Sequence, residues 1–251
     1  MKITCLGTGT STGVPEIGCV CEVCTSDDPR DKRLRTSVVV ETEGKRLLLD
    51  CGPDFRQQMI NNRIYHLDAV LISHEHYDHV GGLDDLRPFS YEKDLDVYAE
   101  DDVVDAIRTR MPYVFREHKF QGIPNLELHA IDNKPFTAAG ISVTPVRLMH
   151  GCLPIFGFRI ANMAYLTDLK NIPEEELAKL NDLDVLILDA LRKNEHPTHE
   201  SLPEALSLIE RVCPKEAYLL HMSHRIGLHA QVEKELPPHV HLTYDGLTIN
   251  C

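Results

Sequence analysis

Val70-Leu71-Ile72-Ser73-His74-Glu75-His76-Tyr77-Asp78-His79 is the stretch on which the reading of this chain turns. Ala69-Val70-Leu71-Ile72 is a short apolar run, the pattern of a strand covered on both faces. Directly after it, His-x-His-x-Asp-His packs three histidines and an aspartate into one loop. Gly81-Gly82 then allows a tight path into a helix start. Imidazole nitrogen and carboxylate oxygen suit zinc, manganese or iron. Four such side chains in so short a segment can divide between two metals. A solvated loop accounts for one or two histidines, but poorly for this density immediately past a core strand.

The 251 residues can bury a full core. No linker, low-complexity tract or close repeat interrupts them, so residues 1–251 are expected to form one domain of mixed strands and helices. No apolar run reaches about 18 residues, so no membrane span is expected. Met1-Lys2-Ile3-Thr4-Cys5-Leu6-Gly7 has too short an apolar run for a signal peptide, which argues for the cytoplasm. A net charge of −13 disfavours nucleic acid as a partner. It leaves room for a small anionic substrate, because bound metal ions would set the local field. Oligomeric state leaves no readable mark, and a homodimer stays open.

Of eight cysteines, three sit together as Cys19-x-Cys21-x-x-Cys24, on a loop spanning about residues 18–25. In a reducing compartment such a cluster reads as a zinc site that lacks its fourth ligand, with free buried thiols as the alternative. Cys5, Cys51, Cys152, Cys213 and Cys251 read as ordinary core or surface residues.

In chain order, Ile3–Leu6 is predicted as a strand. The glycines of Gly7-Thr8-Gly9-Thr10-Ser11-Thr12-Gly13 then let the backbone pass close to a site. Ser37–Glu41 and Arg46–Asp50 form a predicted hairpin. Asp50 reads equally as a carboxylate that orients a ligand histidine or as a solvated strand end. Asp54–Ile60, Leu83–Tyr91 (interrupted near Pro88), Asp101–Arg108, Pro173–Leu180, Pro203–Arg211 and Ala230–Leu236 are predicted helices. Asp96–Ala99, Leu126–Ile131, Ile141–Val146, Phe156–Ile160, Ala164–Asp168, Asp184–Asp189 and Ala217–Leu220 are predicted strands. Residues 111–125 lack a period and read as a loop or lid, with His118 at the surface. Val240–Thr243 and Leu247–Asn250 read as a closing hairpin. His150, Asp168 and His221 each follow an apolar strand, and ligand-type residues at strand ends are where layered α/β folds place their sites. Arg87, Arg116, Arg147 and Arg159 are expected to serve surface ion pairs rather than substrate.

In their order, His74, His76, Asp78, His79, His150, Asp168 and His221 resemble the ligand set of the metallo-β-lactamase superfamily, over nearly the whole chain. The resemblance implies an αββα sandwich of two mixed sheets flanked by helices. It also implies a dinuclear site, with His74, His76 and His150 on one metal, Asp78, His79 and His221 on the other, and Asp168 between them. Within the superfamily the chain resembles the phosphoribosyl cyclic phosphodiesterases of the carbon–phosphorus lyase pathway. Those relatives complete a Cys-x-Cys-x-x-Cys zinc site with a histidine three residues past the last ligand, here His224. They also carry a general-acid histidine before a late helix, here His199 in Pro197-Thr198-His199-Glu200, whose plain alternative is a helix-cap neighbour.

The resemblance therefore implies a metal-dependent hydrolase of a small phosphodiester, a cyclic ribose phosphate being one candidate. Its cofactors would be two divalent ions (zinc, manganese or iron) and one structural zinc. The metals would lower the pKa of the attacking water from about 15.7 toward about 7, giving a hydroxide that attacks phosphorus in line. Asp78 would orient it, and His199 would protonate the leaving alkoxide. Ribonuclease Z is similar in these motifs but has a basic tRNA-gripping arm, for which no insertion is visible here. A lactonase of the same fold and a metal-binding module without turnover are the other readings.

Overall fold

The computed structural model describes residues 1–116 and 122–251. His118, predicted above as a surface residue, lies outside them. The strands in chain order are β1 (Lys2–Gly7), β2 (Ser37–Thr42), β3 (Lys45–Leu49), β4 (Ala69–Leu71), β5 (Leu95–Glu100), β6 (Leu126–Ile131) and β7 (Phe136–Ala138). They continue as β8 (Ile141–His150), β9 (Leu153–Ile160), β10 (Met163–Leu166), β11 (Val185–Asp189), β12 (Glu216–Leu220), β13 (Val240–Leu242) and β14 (Thr248–Asn250). The α-helices are α1 (Phe55–Asn62), α2 (Tyr77–Val80), α3 (Asp101–Arg110), α4 (Leu202–Val212) and α5 (His229–Val232).

Two seven-stranded sheets result, ordered β14-β1-β2-β3-β4-β5-β6 and β13-β12-β11-β10-β9-β8-β7. Their apolar runs are continuous because both faces are covered. Val38, Val40, Leu47, Leu49 and Leu71 of the first sheet meet Val143, Phe156, Phe158, Tyr165 and Ile187 of the second. The alternate residues Val39, Leu48, Val70 and Val97 turn outward onto Phe55, Met59, Val103 and Ile107 of α1 and α3. On the second sheet, Leu186, Leu188 and Leu219 pack against Leu202, Ala205, Leu208 and Ile209 of α4. Helix, sheet, sheet, helix is the αββα sandwich that the motif order implied.

Several elements differ from the sequence reading. The closing hairpin does not exist: β13 pairs with β12 in one sheet, whereas β14 pairs with β1 in the other. Tyr244-Asp245-Gly246 is a crossover. The Asp245 carboxylate accepts from the Thr8 hydroxyl and the Leu34 N–H, and buried Arg33 donates to the Thr243 carbonyl. Those partners lie far away in the chain, so the local turn signal misled. β8 runs on to His150, which is the strand's last residue rather than a loop residue. β7 was not anticipated. Leu83–Phe89 and Glu174–Leu180 are 3-10 helices, and the predicted Ala230–Leu236 helix is α5 followed by a short 3-10 turn, Glu233–Glu235.

Helix α4 starts three residues after His199, with Ser201 as its N-cap. The Ser201 N–H and hydroxyl both donate to the Glu204 carboxylate, at 2.7 and 2.6 Å, and Lys170 pairs with the same carboxylate at 2.6 Å. Glu204→Ala removes all of these and is expected to cost about 1 kcal/mol, the usual scale for a lost helix cap. A urea-unfolding midpoint unchanged from the wild type would contradict that role.

Candidate metal centre

The site is assembled where strands end. His74 lies three residues past β4, and His76 precedes α2, whose first turn carries Asp78 and His79. Asp168 lies two residues past β10, and His221 directly follows β12. Asp50, Asp168 and His221 all have positive φ, at 60°, 53° and 56°. Non-glycine residues pay for that conformation, and three together at strand ends mark a place where side-chain direction overrides backbone preference.

Ligand atoms of Asp78, His79, Asp168 and His221 fall within 4.8 Å of one another, as do those of His74, His76 and Asp168. The Asp168 carboxylate is shared between the two groups. Its Oδ1 is 3.1 Å from His79 Nε2 and 3.2 Å from His221 Nε2, and its Oδ2 is 3.8 Å from His74 Nε2. The His150 ring stands 5.2 Å from His76 and 5.8 Å from His74, and it groups with Asp168 and His199. Among the described residues, the buried Nε2 atoms of His74, His79 and His221 have no hydrogen-bond partner. Buried polar atoms are rarely left so. Orphaned imidazole nitrogens aimed at acidic oxygens fit divalent cations between them.

The other nitrogens of most of these rings are tied down, as metal-binding histidines require. His79 Nδ1 is 2.8 Å from Asp50 Oδ2, His74 Nδ1 is 2.9 Å from the Ser73 hydroxyl, and His150 Nδ1 is 2.9 Å from the Thr198 carbonyl. The fully buried Asp50 also accepts from the Ser73 N–H, the Ser73 hydroxyl and the Tyr165 hydroxyl. Of its two readings from sequence, the solvated strand end is therefore excluded. Burial and the neighbouring His79 hold His74 well below the usual histidine range, in its neutral form. For His79, burial is outweighed by the Asp168, Asp50 and Asp78 carboxylates, which raise it.

His199 stands beside this centre, its ring 4.6 Å from His150 and 5.0 Å from His221. Its Nδ1 is 2.9 Å from Oδ2 of Asp189, the fully buried last residue of β11. Burial opposes a charged ring, but the Asp189 carboxylate wins and raises His199 above its ordinary value. Asp189 was not singled out from the sequence. It carries the same signal as Asp50, an acid closing an apolar strand, which could have found it.

A second cluster brings the Sγ atoms of Cys19, Cys21 and Cys24 to 3.1, 3.4 and 3.3 Å from His224 Nδ1. Three thiols and an imidazole around one point make a four-donor set that fits a structural zinc site. The Cys24 N–H donating to Cys21 draws that thiol down to about 6, while burial pushes Cys24 up to about 11. The glycine loop links the two clusters. Gly9 pairs with Met222, and Thr10 N–H donates to the Met222 carbonyl, between His221 and His224. A Cβ on Gly9 would meet the Arg33 side chain at 2.8 Å.

Of the arginines assigned to surface ion pairs, Arg87 pairs with Asp84 and Arg147 with Glu100. Arg159 differs, donating instead to the Ala161, Lys179 and Asn181 carbonyls.

Glu200, next to His199, is buried, and burial followed by the Asp189 and Glu204 carboxylates pushes it up to about 9. The native state keeps a proton there that the unfolded chain releases near pH 4, so stability is lost as pH rises from about 4 to about 9. Glu200→Gln is expected to unfold like the wild type at pH 4 and to be more stable by about 2–4 kcal/mol at pH 8. Thermal unfolding at both pH values checks this, and an equal difference at each would contradict it.

The Beta-lactamase superfamily domain matches residues 45–222. A solved diphosphatase of the PhnP family superposes with a TM-score of 0.93 at 38% identity, covering 99% of this chain and 96% of that one. Human tRNase Z, short form, superposes with a TM-score of 0.72 at 21% identity, covering 100% and 99% of the two chains, and shares the fold. An octanoyltransferase of Porphyromonas gingivalis is 49% identical over 250 residues, 98% of this chain but 51% of that protein. The chain thus spans about half the length of that curated relative. No helix among the described residues is long and apolar enough to cross a membrane. By family match over most of its length, and by the fold it shares from end to end with the PhnP-family diphosphatase, the chain belongs to the beta-lactamase superfamily.

Proposed function

We propose that the chain is a dinuclear phosphodiesterase for a small anionic diester. The observation that carries this reading is His199, a histidine packed against the His150 and His221 rings and held by the buried Asp189 carboxylate. Hydrolysis of a phosphodiester with an alkyl leaving group needs a proton delivered to the departing oxygen, and a positioned acid contributes roughly 10²–10⁴-fold. The full-length likeness to a PhnP-family diphosphatase also favours chemistry at phosphorus.

His74, His76, His150, Asp78, His79, His221 and Asp168 would hold two divalent ions, of zinc, manganese or iron, and Cys19, Cys21, Cys24 and His224 one structural zinc. When bound, the pair supplies Lewis acidity that neutralises phosphoryl oxygens and makes water a better nucleophile. The residues do the rest. Asp78 accepts a hydrogen bond from the attacking water and sets its line of approach. Asp189 fixes the His199 ring with its proton-bearing Nε2 toward the leaving oxygen, and His199 gives up that proton as the ester bond breaks. Asp50, through His79 and Ser73, keeps the ligand rings from turning.

A second reading, hydrolysis of an acyl ester or thioester at the same centre, draws on the octanoyltransferase name of the Porphyromonas gingivalis relative. The matched segment is about half of that protein, so its name bears only weakly on this chain.

Rates on bis(p-nitrophenyl) phosphate, 2′,3′-cyclic AMP, a lactone and an octanoyl thioester separate the readings. Diester turnover is expected to exceed the other two classes. His199→Ala should slow the cyclic nucleotide by about 10²–10⁴-fold and the aryl diester much less, because nitrophenolate leaves without a proton. Asp78→Ala should slow both. Faster cleavage of the lactone or thioester would displace the phosphodiesterase reading, and no turnover of any ester would favour a binding module.

A further inference from the structure

His196 belongs to the loop that carries His199 but is used by nothing described so far. The loop is closed at its base by pairing of Arg192 with Ser201 and by the Leu191 N–H donating to the Glu200 carbonyl. The Arg192 guanidinium braces it from within, donating to the Asn194 and Glu195 carbonyls at 3.1 and 2.6 Å. Pro197 confines the backbone of His196 to extended conformations. The His196 ring is therefore presented by a braced segment.

Its orientation is fixed as well. Thr198 N–H donates to His196 Nδ1 at 3.3 Å, and the Thr198 hydroxyl lies 3.2 Å from the same atom. A nitrogen that accepts a backbone N–H carries no proton, so the neutral ring bears its hydrogen on Nε2. The ring centroid is 5.2 Å from that of His199, and among the described residues His199 is the aromatic ring it packs against. His150, His199 and His196 thus form a row leading out of the metal centre, from buried His199 to half-buried His196.

We infer that His196 is a substrate-binding residue whose Nε2–H donates to a hydroxyl on the leaving-group side of the phosphoester. This rests on the phosphodiesterase reading, in which His199 protonates the leaving oxygen. The carbons attached to that oxygen then extend past the outer side of His199, where His196 stands. The ligand class is a phosphoester of a polyhydroxy alcohol, as opposed to one of a plain alkyl alcohol.

Two substitutions divide the ring's functions. His196→Asn keeps an acceptor at the Nδ1 position for Thr198 but has no donor at Nε2. His196→Gln keeps a donor near the Nε2 position. The probes are sn-glycerol 3-phosphate and n-propyl phosphate, which differ only in hydroxyl groups, titrated calorimetrically into metal-loaded protein. The wild type should prefer glycerol phosphate by about 3- to 10-fold, the worth of a neutral hydrogen bond. His196→Asn should bring the preference close to unity, and His196→Gln should retain most of it. No preference in the wild type, or a preference kept by His196→Asn, would overturn the inference. Binding is read without turnover, so failure of diester hydrolysis with the preference intact would sink the phosphodiesterase reading alone.

Discussion

A carboxylate sealed between two sheets must take its hydrogen bonds from whatever surrounds it, and Asp50 takes four. The donors are the Ser73 N–H, the Ser73 hydroxyl, His79 Nδ1 and the Tyr165 hydroxyl. An unpaired charge at that depth would cost several kcal/mol, so each donor is under pressure to stay. Ser73 and His79 belong to the metal loop, whereas Tyr165 comes from the opposite sheet. One side chain thereby sets the separation of the sheets at their site edge and the direction of two histidine rings. The left-handed φ of Asp50 is the local cost of pointing it there.

The same economy joins the two clusters. His221 and His224 flank one short segment, Met222-Ser223, in which the Met222 backbone is clasped by Thr8, Gly9 and Thr10 of the glycine loop. The cysteine loop begins a few residues further on, and Val14 returns to pair with Arg33. Buried Arg33 in turn donates to Thr8 and Thr243. The zinc-type cluster is therefore tied to the strand end that delivers His221 by two paths, one covalent through Met222-Ser223 and one through the hydrogen bonds of the glycine loop. Closing such a cluster on a metal would stiffen that strand end.

The fold was legible because its elements are strongly patterned. Apolar runs such as Val38-Val39-Val40 and Leu47-Leu48-Leu49 are covered on both faces, and a sandwich with outer helices covers them so. The His-x-His-x-Asp-His loop was legible because its residues are adjacent in the chain. What failed was long-range. Tyr244-Asp245-Gly246 has the chemistry of a hairpin turn, but its direction is set by Thr8, Arg33 and Leu34, which no local window contains. The depth of Asp50 and the pairing of Asp189 with His199 were invisible for the same reason, since burial is a property of the packed sheets. His224 could be proposed as a partner for the cysteines only through resemblance, because about 200 residues separate them, and the structure sets its Nδ1 3.1–3.4 Å from their sulfurs.

The central claim is that the orphaned nitrogens around Asp168 exist to hold two metals, with the cysteine cluster holding a third. Anomalous diffraction from crystals of the metal-loaded protein tests it most directly. The account predicts two peaks about 3.5–4 Å apart, one on each side of the Asp168 carboxylate, and a separate zinc peak among Cys19, Cys21, Cys24 and His224. A single peak at Asp168, or none there while the cysteine cluster is filled, would contradict it.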